Sequence, residues 1–306
     1  MKTIYIFLIF LTLGNTLRAQ TKWQTQVAPS LRHLYGLYFT DEMTGTVCGL
    51  AGTVSHTTNG GENWTDCNSG VTNQLRGVSM TSVTNGFVVG RDGMILHTTD
   101  SGVNWKEQHA PSKLQPLLAT YFLDSLRGFA VGWYGTIIHT TDGGEHWELQ
   151  KTDVTTFLRC VVFVNESVGI IVGEKGTLLR TTNGGKVWSL IESETTENLT
   201  GASFVSNLIV IAVGENGTLV RSTDGGKRWQ CVESHQKNNL RGVSFKGNIG
   251  SAVGENGTIL TSKDAGVSWS DESSIDKTHL LAVQQITPHV AVAIGLNGTI
   301  LRKSSK

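Results

Sequence analysis

Short apolar runs alternate with polar, glycine-rich turns along almost the whole chain. One representative unit has apolar runs at 75–80, 86–90 and 94–98, followed by a more polar run at 104–108. Runs of this length between turn residues are typical of β-strands, and a run that is apolar throughout, such as 169–173, suits a strand covered on both faces. The pattern predicts an all-β protein in which each unit contributes four short strands.

The last strand of each unit follows an eight-residue turn, best seen in Thr-Thr-Asp-Gly-Gly-Glu-His-Trp at 140–147. Gly143 and Gly144 allow the backbone angles that a tight turn needs. We expect Asp142 to accept hydrogen bonds from the backbone amides just ahead of it, and Thr140 to close the turn from the other side. This segment, called the turn motif below, recurs at 57–64, 98–105, 181–188, 222–229 and 262–269.

The tryptophans that mark the repeat lie at intervals of about 40 residues, which is typical of one blade of a β-propeller. They are Trp23, Trp64, Trp105, Trp147, Trp188, Trp229 and Trp269. A single four-stranded blade cannot bury both of its faces, whereas blades stacked in a ring bury them against each other. Because the repeat runs from end to end, it predicts one domain rather than two.

The ends of the chain give the number of blades. Inner strands are predicted to begin near residues 34, 75, 117, 158, 199, 240 and 280, which makes seven blades. The last unit stops after its third strand, whereas Trp23 belongs to a fourth strand that has no blade of its own. We therefore expect the N-terminal segment 21–27 to complete the last blade, within a propeller domain spanning 20–306.

The first residues have a different character from the repeats. Lys2 precedes an apolar run over 4–13, and Ala19 offers a small residue for cleavage. This arrangement is typical of a secretory signal peptide, and the run is too short to span a membrane as a helix. We expect residues 1–19 to be removed and the mature chain, which does not itself span a membrane, to be exported to the periplasm or the extracellular medium.

Charge and cysteine spacing narrow the function further. The formal net charge is zero, with 25 basic and 25 acidic residues, so nothing favours nucleic acid as a partner. Cys48, Cys67, Cys160 and Cys231 lack the spacing of a metal site, and we expect free, mostly buried thiols. No phosphate loop, metal site or nucleophile–base arrangement stands out. We predict a protein that uses no cofactor, holds no metal, has no catalytic residues and is not an enzyme.

The turn motif has the form Ser/Thr-x-Asp/Asn-x-Gly-x-x-Trp and resembles the Asp-box, or bacterial neuraminidase (BNR) repeat. With the inner strand at 240–245 and the segment 252–260 before it, the longer pattern resembles the photosystem II assembly and stability factor family. That family is a seven-bladed propeller of plants and cyanobacteria with relatives in non-photosynthetic bacteria. The resemblance covers about residues 21–306. It implies a non-catalytic protein that binds another protein, as a scaffold or assembly factor for an envelope or membrane complex.

The family also implies a surface patch rich in arginine that takes part in partner binding. Strand direction places the turn motif on one face and the inner-strand starts, with the turns between second and third strands, on the other. On that other face lie the candidate partner-binding arginines Arg76, Arg91, Arg159 and Arg241. Two interpretations stay open, because the inner-strand arginines could contact a partner, including a membrane protein, or could pair with Glu174, Glu215 and Glu255 around the channel mouth.

Trp133 and Tyr134, the remaining candidates, occupy a turn in which other blades carry small or polar residues. An exposed aromatic pair is unfavourable unless something covers it, so it could anchor a peptide, stack on a sugar or pack over a neighbouring loop. A non-catalytic glycan-binding propeller is therefore the alternative function. A glycoside hydrolase or sialidase is less favoured, because the Arg-Ile/Leu-Pro signature of sialidases is absent and the recurrent glutamates resemble a repeat consensus rather than a dedicated carboxylate pair.

Overall fold

The computed structural model describes residues 23–28, 30–111, 114–274 and 276–304. These residues form seven four-stranded antiparallel sheets, so the predicted all-β, seven-bladed propeller is confirmed. The signal peptide predicted at 1–19 lies outside the described residues, as do residues 21–22 of the predicted closing strand. In the described part of the chain, no helix has the length and apolar character needed to cross a membrane.

The strands are numbered in chain order, beginning with β1 (Gln24–Thr25). The first blade holds β2 (Leu34–Phe39), β3 (Gly45–Gly49), β4 (Val54–Thr57) and β5 (Thr65–Asp66). The second holds β6 (Leu75–Met80), β7 (Gly86–Gly90), β8 (Ile95–Thr98) and β9 (Lys106–Glu107). The third holds β10 (Leu117–Phe122), β11 (Gly128–Gly132), β12 (Ile137–Thr140) and β13 (Glu148–Gln150).

The remaining blades repeat the same plan. The fourth holds β14 (Leu158–Phe163), β15 (Gly169–Gly173), β16 (Leu178–Thr181) and β17 (Ser189–Leu190). The fifth holds β18 (Leu199–Phe204), β19 (Val210–Gly214), β20 (Leu219–Ser222) and β21 (Gln230–Cys231). The sixth holds β22 (Leu240–Lys246), β23 (Ile249–Gly254), β24 (Ile259–Ser262) and β25 (Ser270–Asp271). The seventh holds β26 (Leu280–Gln285), β27 (Val290–Gly295), β28 (Ile300–Ser304) and β1.

Each blade begins with its innermost strand, and these strands surround the central channel. Every inner strand contacts the inner strands of both neighbouring blades, and the contact between β2 and β26 closes the ring. Each begins at a fully buried leucine: Leu34, Leu75, Leu117, Leu158, Leu199, Leu240 or Leu280. The second strands, such as β15, are buried along their whole length, as expected for apolar runs covered on both faces.

The hydrophobic core is divided among seven clusters, each lying between two neighbouring blades. Each cluster includes a different tryptophan: Trp23, Trp64, Trp105, Trp147, Trp188, Trp229 or Trp269. Trp147 of the third blade, for example, packs edge-on against Phe87 of the second blade, with their ring centroids 6.3 Å apart. The regular tryptophan spacing therefore follows from one interblade packing site used seven times.

The N-terminal strand completes the seventh blade, which confirms the predicted closure. β1 pairs antiparallel with β28, so that Gln24 lies opposite Arg302. Trp23 packs on the cluster between the sixth and seventh blades. The Arg302 guanidinium also donates a hydrogen bond to the carbonyl of Gly60 in the first blade at 2.7 Å, so the closing blade is tied to both of its neighbours.

The turn motif has the hydrogen bonds that its sequence predicts. The Thr140 hydroxyl accepts a hydrogen bond from the Gly144 amide at 2.9 Å and donates one to Asp142 at 2.8 Å. Asp142 in turn accepts a bond from the amide of His146 at 3.0 Å. The corresponding Ser or Thr hydroxyl accepts the same glycine amide bond in all six motifs. These polar side chains are therefore occupied in building the turn.

The four cysteines are free thiols, but they are less uniformly buried than expected. Cys48 is fully buried on β3, and burial raises its pKa to about 12. Cys67 and Cys160 are half-buried, and Cys231 is exposed. The expectation of burial is wrong for Cys231 because it lies on β21, an outermost strand whose residues are both exposed.

Candidate binding site at the channel mouth

One end of the ring brings together the inner-strand starts and the turns between second and third strands. These turns include Leu50–Gly52, Arg91–Gly93, Trp133–Gly135, Glu215–Gly217, Glu255–Gly257 and Leu296–Gly298. In the second blade, the Arg91 amide donates to the carbonyl of Gln74, the residue before β6, at 2.8 Å. The turn motifs lie at the opposite end of the strands, so the two faces are sorted as strand direction predicts.

The second residue of every inner strand faces the mouth of the channel. In each blade the pairing register between the first two strands shifts at this residue, for example between Leu75 and Gly77 around Arg76. Such a bulge leaves one residue unpaired and redirects its side chain. These residues, with Glu255, His279 and Leu296, line a cavity of about 360 Å³: Tyr35, Arg76, Leu118, Arg159, Thr200, Arg241 and Leu281.

Two of the three mouth arginines are neutralised by glutamates from the neighbouring turns. Arg159 forms an ion pair with Glu174 at 2.5 Å. Arg241 pairs with Glu255 and, at 3.4 Å, with Glu215. Burial tends to raise the pKa of Glu255, but the hydrogen bonds from Arg241 and Asn239 and the charge of Arg241 outweigh burial, so this pKa is lowered. Of the two interpretations left open by the sequence, pairing with glutamates around the channel mouth is therefore the one that the structure shows for Arg159 and Arg241.

Arg76 differs from the other two because no carboxylate pairs with it among the described residues. Its guanidinium lies over the ring of Tyr35, 4.2 Å from the centroid, and donates a hydrogen bond to the side chain of Gln74 at 3.1 Å. Burial lowers the pKa of Arg76, and the like charges of Arg159 and Arg91 lower it further. Arg76 is therefore a partly buried cation at the mouth whose charge no carboxylate of the described residues balances.

Arg91 and the two aromatic candidates lie on the same face, around the cavity rather than in its lining. Arg91 is exposed on the second-blade turn. Trp133 is half-buried and stacks on Phe157 of the fourth blade, with ring centroids 4.7 Å apart and an interplanar angle of 4°. Tyr134 is 59% exposed. The pair is therefore covered on the Trp133 side by a neighbouring loop, while Tyr134 faces solvent.

Several residues at this end were not among the candidates chosen from the sequence. Tyr35 and His279 line the mouth, and Phe157 covers Trp133. A signal was available for all three, because each occupies a fixed position at the start of an inner strand. The position before the strand holds His33, Gln74, Pro116, Phe157, Asn198, Asn239 and His279. Within that set, Phe157 is an aromatic residue whose side chain has no polar atom.

On the opposite face, Asp142, Glu145 and His146 form the group among the described residues whose ligand atoms are close enough to hold a cation. All three are exposed. The Asp142 carboxylate lies 2.7 Å from Nδ1 of His146 and also accepts the backbone bonds of the turn motif. The cluster is thus explained by the turn itself, and nothing further in the structure indicates a bound ion.

The sequence matches the model of the photosynthesis system II assembly factor YCF48 family over residues 16–118, 111–203 and 186–280. Among solved structures, the fold is similar to YCF48 bound to D1 peptide, with 19% identity, a TM-score of 0.79 and coverage of 94% of this chain and 96% of that chain. YCF48 from Cyanidioschyzon merolae is also similar, with 19% identity, a TM-score of 0.78 and coverage of 92% and 99%.

The WD40 repeats of RRP9 share the architecture at 8% identity, with a TM-score of 0.77 and coverage of 93% of this chain and 98% of that one. No curated protein sequence matches the chain. At these identities the structural similarities establish the propeller fold, whereas the family model covers most of the sequence.

Proposed function

Since this chain belongs to the photosynthesis system II assembly factor family, we propose that it is a non-catalytic propeller that binds another protein through the mouth of its channel. Its role would be that of a scaffold or assembly factor for an envelope or membrane complex. The likeness to a YCF48 structure containing a D1 peptide supports a peptide segment as the bound element. We further propose that this segment carries an acidic group, because the mouth presents the unpaired cation of Arg76.

The energetics of Arg76 support an acidic partner group. A partly buried guanidinium has lost much of its hydration, and its contacts with Tyr35 and Gln74 replace that hydration without supplying a negative charge. A carboxylate could accept two parallel hydrogen bonds from the guanidinium. An acidic group at the mouth would therefore balance the charge that the described residues leave unpaired on Arg76.

The same cavity does not suit glycoside hydrolysis, which supports a non-enzymatic role. A general acid in such an enzyme needs a carboxyl group whose pKa is raised. The pKa of Glu255 is lowered instead, and Glu174 is held in an ion pair with Arg159. Glu255 therefore favours the ionised form that balances Arg241, while the Glu174 carboxylate is engaged by Arg159.

The partner test is a pull-down from envelope extract with the mature chain as bait, beside an Arg76→Gln variant. Arg228→Gln is the matched control, because Arg228 is an exposed arginine on the opposite face. We expect a defined protein to be recovered by the wild type and the control. Its recovery should fall at least about tenfold with Arg76→Gln, since removing one member of a desolvated charge pair weakens binding strongly. Equal recovery by all three baits would contradict the proposal.

We also propose that the protein is exported, with residues 1–19 acting as a signal peptide. Expressed with this segment, the chain should be recovered outside the cytoplasm. Its intact mass should correspond to a chain that begins at Gln20. A cytoplasmic chain that retains Met1–Ala19 would contradict export, and would leave the binding proposal to be judged on the pull-down alone.

A further inference from the structure

Three aromatic side chains form a corner at the junction between the third and fourth blades. Trp133 and Phe157 are stacked in parallel. The ring of Tyr134 stands perpendicular to both, at 88° to Trp133 and 86° to Phe157, with centroid distances of 6.1 and 5.3 Å. We call these three residues the aromatic corner. Two stacked rings beside a perpendicular third ring create an apolar angle at the surface.

Other blade junctions use a polar contact at this place. The middle residue of the turn donates its amide hydrogen to a side chain of the residue before the next inner strand. This bond, of 2.9 or 3.0 Å, joins Lys175 to Asn198, Asn216 to Asn239, Asn256 to His279, and Asn297 to His33. Phe157 offers no acceptor to the amide of Tyr134. The aromatic corner is therefore a departure from the contact that four other junctions use.

Two features of Tyr134 are unfavourable in the isolated molecule. Its backbone has φ of 53° and ψ of 42°, a left-handed conformation that bulky side chains rarely adopt. Four of the six equivalent positions carry Asn or Asp, the residues that tolerate this conformation best: Asp92, Asn216, Asn256 and Asn297. The ring is also largely exposed. Since the other turns fold without an aromatic residue here, the fold itself does not require Tyr134.

The corner lies beside the mouth cavity. Phe157 is two residues before Arg159, and the Trp133 amide donates to the carbonyl of Pro116, two residues before Leu118, at 3.0 Å. Both Arg159 and Leu118 line the cavity. A segment of extended peptide seated over the mouth would therefore cross the corner within a few residues of its acidic group.

We propose that the aromatic corner is the pocket for a bulky apolar side chain, aromatic or long aliphatic, of the same partner segment whose acidic group reaches Arg76. This inference rests on the proposed function. An apolar side chain suits the perpendicular rings, since edge-to-face contacts form there without further desolvation of polar groups. A sugar would have to stack on the remaining face of Trp133, since Phe157 covers the other. The tyrosine strain and exposure are then features that the bound peptide offsets.

The test replaces the corner with the polar junction of the fifth and sixth blades, where Glu215, Asn216 and Asn239 occupy the equivalent positions. The variant combines Trp133→Gln, Tyr134→Asn and Phe157→Asn, so it restores an acceptor for the turn amide without adding a carboxylate beside Arg159. Its melting temperature should stay within about 3 °C of the wild type. Should it fail to fold, the single variant Tyr134→Asn serves the same comparison, because asparagine suits the left-handed turn.

The probe is a phage-displayed library of random linear peptides, selected on the wild-type mature chain. We expect the enriched peptides to share an acidic residue and, at a fixed spacing, a Phe, Trp, Leu or Met. A synthetic peptide of the enriched sequence should bind the corner variant about tenfold more weakly than the wild type, the loss expected for one apolar anchor. Replacing its apolar residue with alanine should weaken wild-type binding similarly and leave binding to the corner variant unchanged.

The arms separate this inference from the proposed function. Weaker binding to Arg76→Gln with unchanged binding to the corner variant would refute the apolar pocket alone. The reverse pattern would refute the acidic anchor and keep the pocket. No enriched peptide, or enriched peptides without a common apolar residue, would overturn the inference. So would quenching of tryptophan fluorescence by oligosaccharides that is lost in the corner variant, since that result would assign the corner to a glycan.

Discussion

At the residue scale, the carboxylates of the turn motif combine a fixed geometry with a shifted pKa. The hydrogen bonds from the His146 backbone and side chain, and then from Thr140, lower the pKa of Asp142 from 3.8 to about 2. Those from Ser268 and Ser262 lower the pKa of Asp264 to about 2 as well. A carboxylate whose pKa is lower in the folded chain stabilises the fold when it is ionised.

This shift predicts how stability depends on pH. The contribution of Asp142 and Asp264 is fully present above their ordinary pKa of 3.8, and is lost as the pH falls from there toward 2. The double variant Asp142→Asn, Asp264→Asn should melt close to the wild type at pH 7. Two other turn motifs already carry asparagine at this position, Asn59 and Asn183, and each accepts the same backbone hydrogen bond. Between pH 4 and pH 2 the melting temperature of the wild type should fall more steeply than that of the double variant. Parallel melting curves across that range would contradict the assignment.

The residue scale also shows what the sequence could not reveal about the site. The repeat alignment placed Arg76, Arg159 and Arg241 at equivalent positions on one face, and the structure brings them to one cavity. It could not tell that Arg76 lies over Tyr35 while Arg241 is paired twice, because each contact depends on a side chain from another blade or turn. Spacing along the chain fixes the position of a side chain, whereas its charge balance is set by neighbours that are distant in sequence.

At the scale of the element, the turn motif of the third blade is held together by a hydroxyl that is nearly inaccessible to solvent. Thr140 is 2% exposed and satisfies both the Gly144 amide and the Asp142 carboxylate. Removing such a group leaves a buried amide hydrogen unpaired. The turn motif should therefore be sensitive to its first residue and tolerant at its second, which is exposed in the third blade.

We expect Thr140→Ala to lower the free energy of unfolding by about 1–3 kcal/mol. Thr141→Ala, one residue along in the same turn, should change it by no more than about 0.5 kcal/mol. Urea denaturation followed by tryptophan fluorescence measures both values. Equal losses in the two variants would show that the hydroxyl bond is not what holds the turn.

The element scale is where sequence reasoning was most successful. The repeat predicted four strands per blade, the glycine turns and a tryptophan plug between blades, because each follows from local chemistry repeated seven times. It did not predict the bulge at the second residue of every inner strand. No glycine or proline marks that bulge in all seven blades, and it arises from how two whole strands pair. Yet this bulge is the feature that presents the mouth residues.

At the scale of the whole molecule, the ring is closed by a strand from the opposite end of the chain. β1 is only Gln24–Thr25, but the adjacent Trp23 joins the same type of interblade cluster as the other blade tryptophans. If the closing strand contributes as much as a strand in the middle of the ring, its tryptophan should matter equally. Trp188 is a suitable comparison, because it too is half-buried between blades.

Trp23→Ala and Trp188→Ala should therefore lower the free energy of unfolding by similar amounts, about 2–3 kcal/mol each, somewhat less than for fully buried tryptophans. Chemical denaturation of the wild-type chain and of both variants measures these free energies. A negligible effect of Trp23→Ala beside a clear effect of Trp188→Ala would mean that the closing strand is frayed in solution.

The pairing of Gln24 with Arg302 also has a consequence for the order of folding. Blades one to six pair strands that are close in sequence, whereas the seventh needs the first and the last segments together, a closure that is slow because it spans nearly the whole chain. During synthesis, β1 has no pairing partner until β28 has been made. A chain that stops early keeps an open sheet edge, which proteases and other exposed strands can recognise. The ring can therefore close only after β28 has been synthesised.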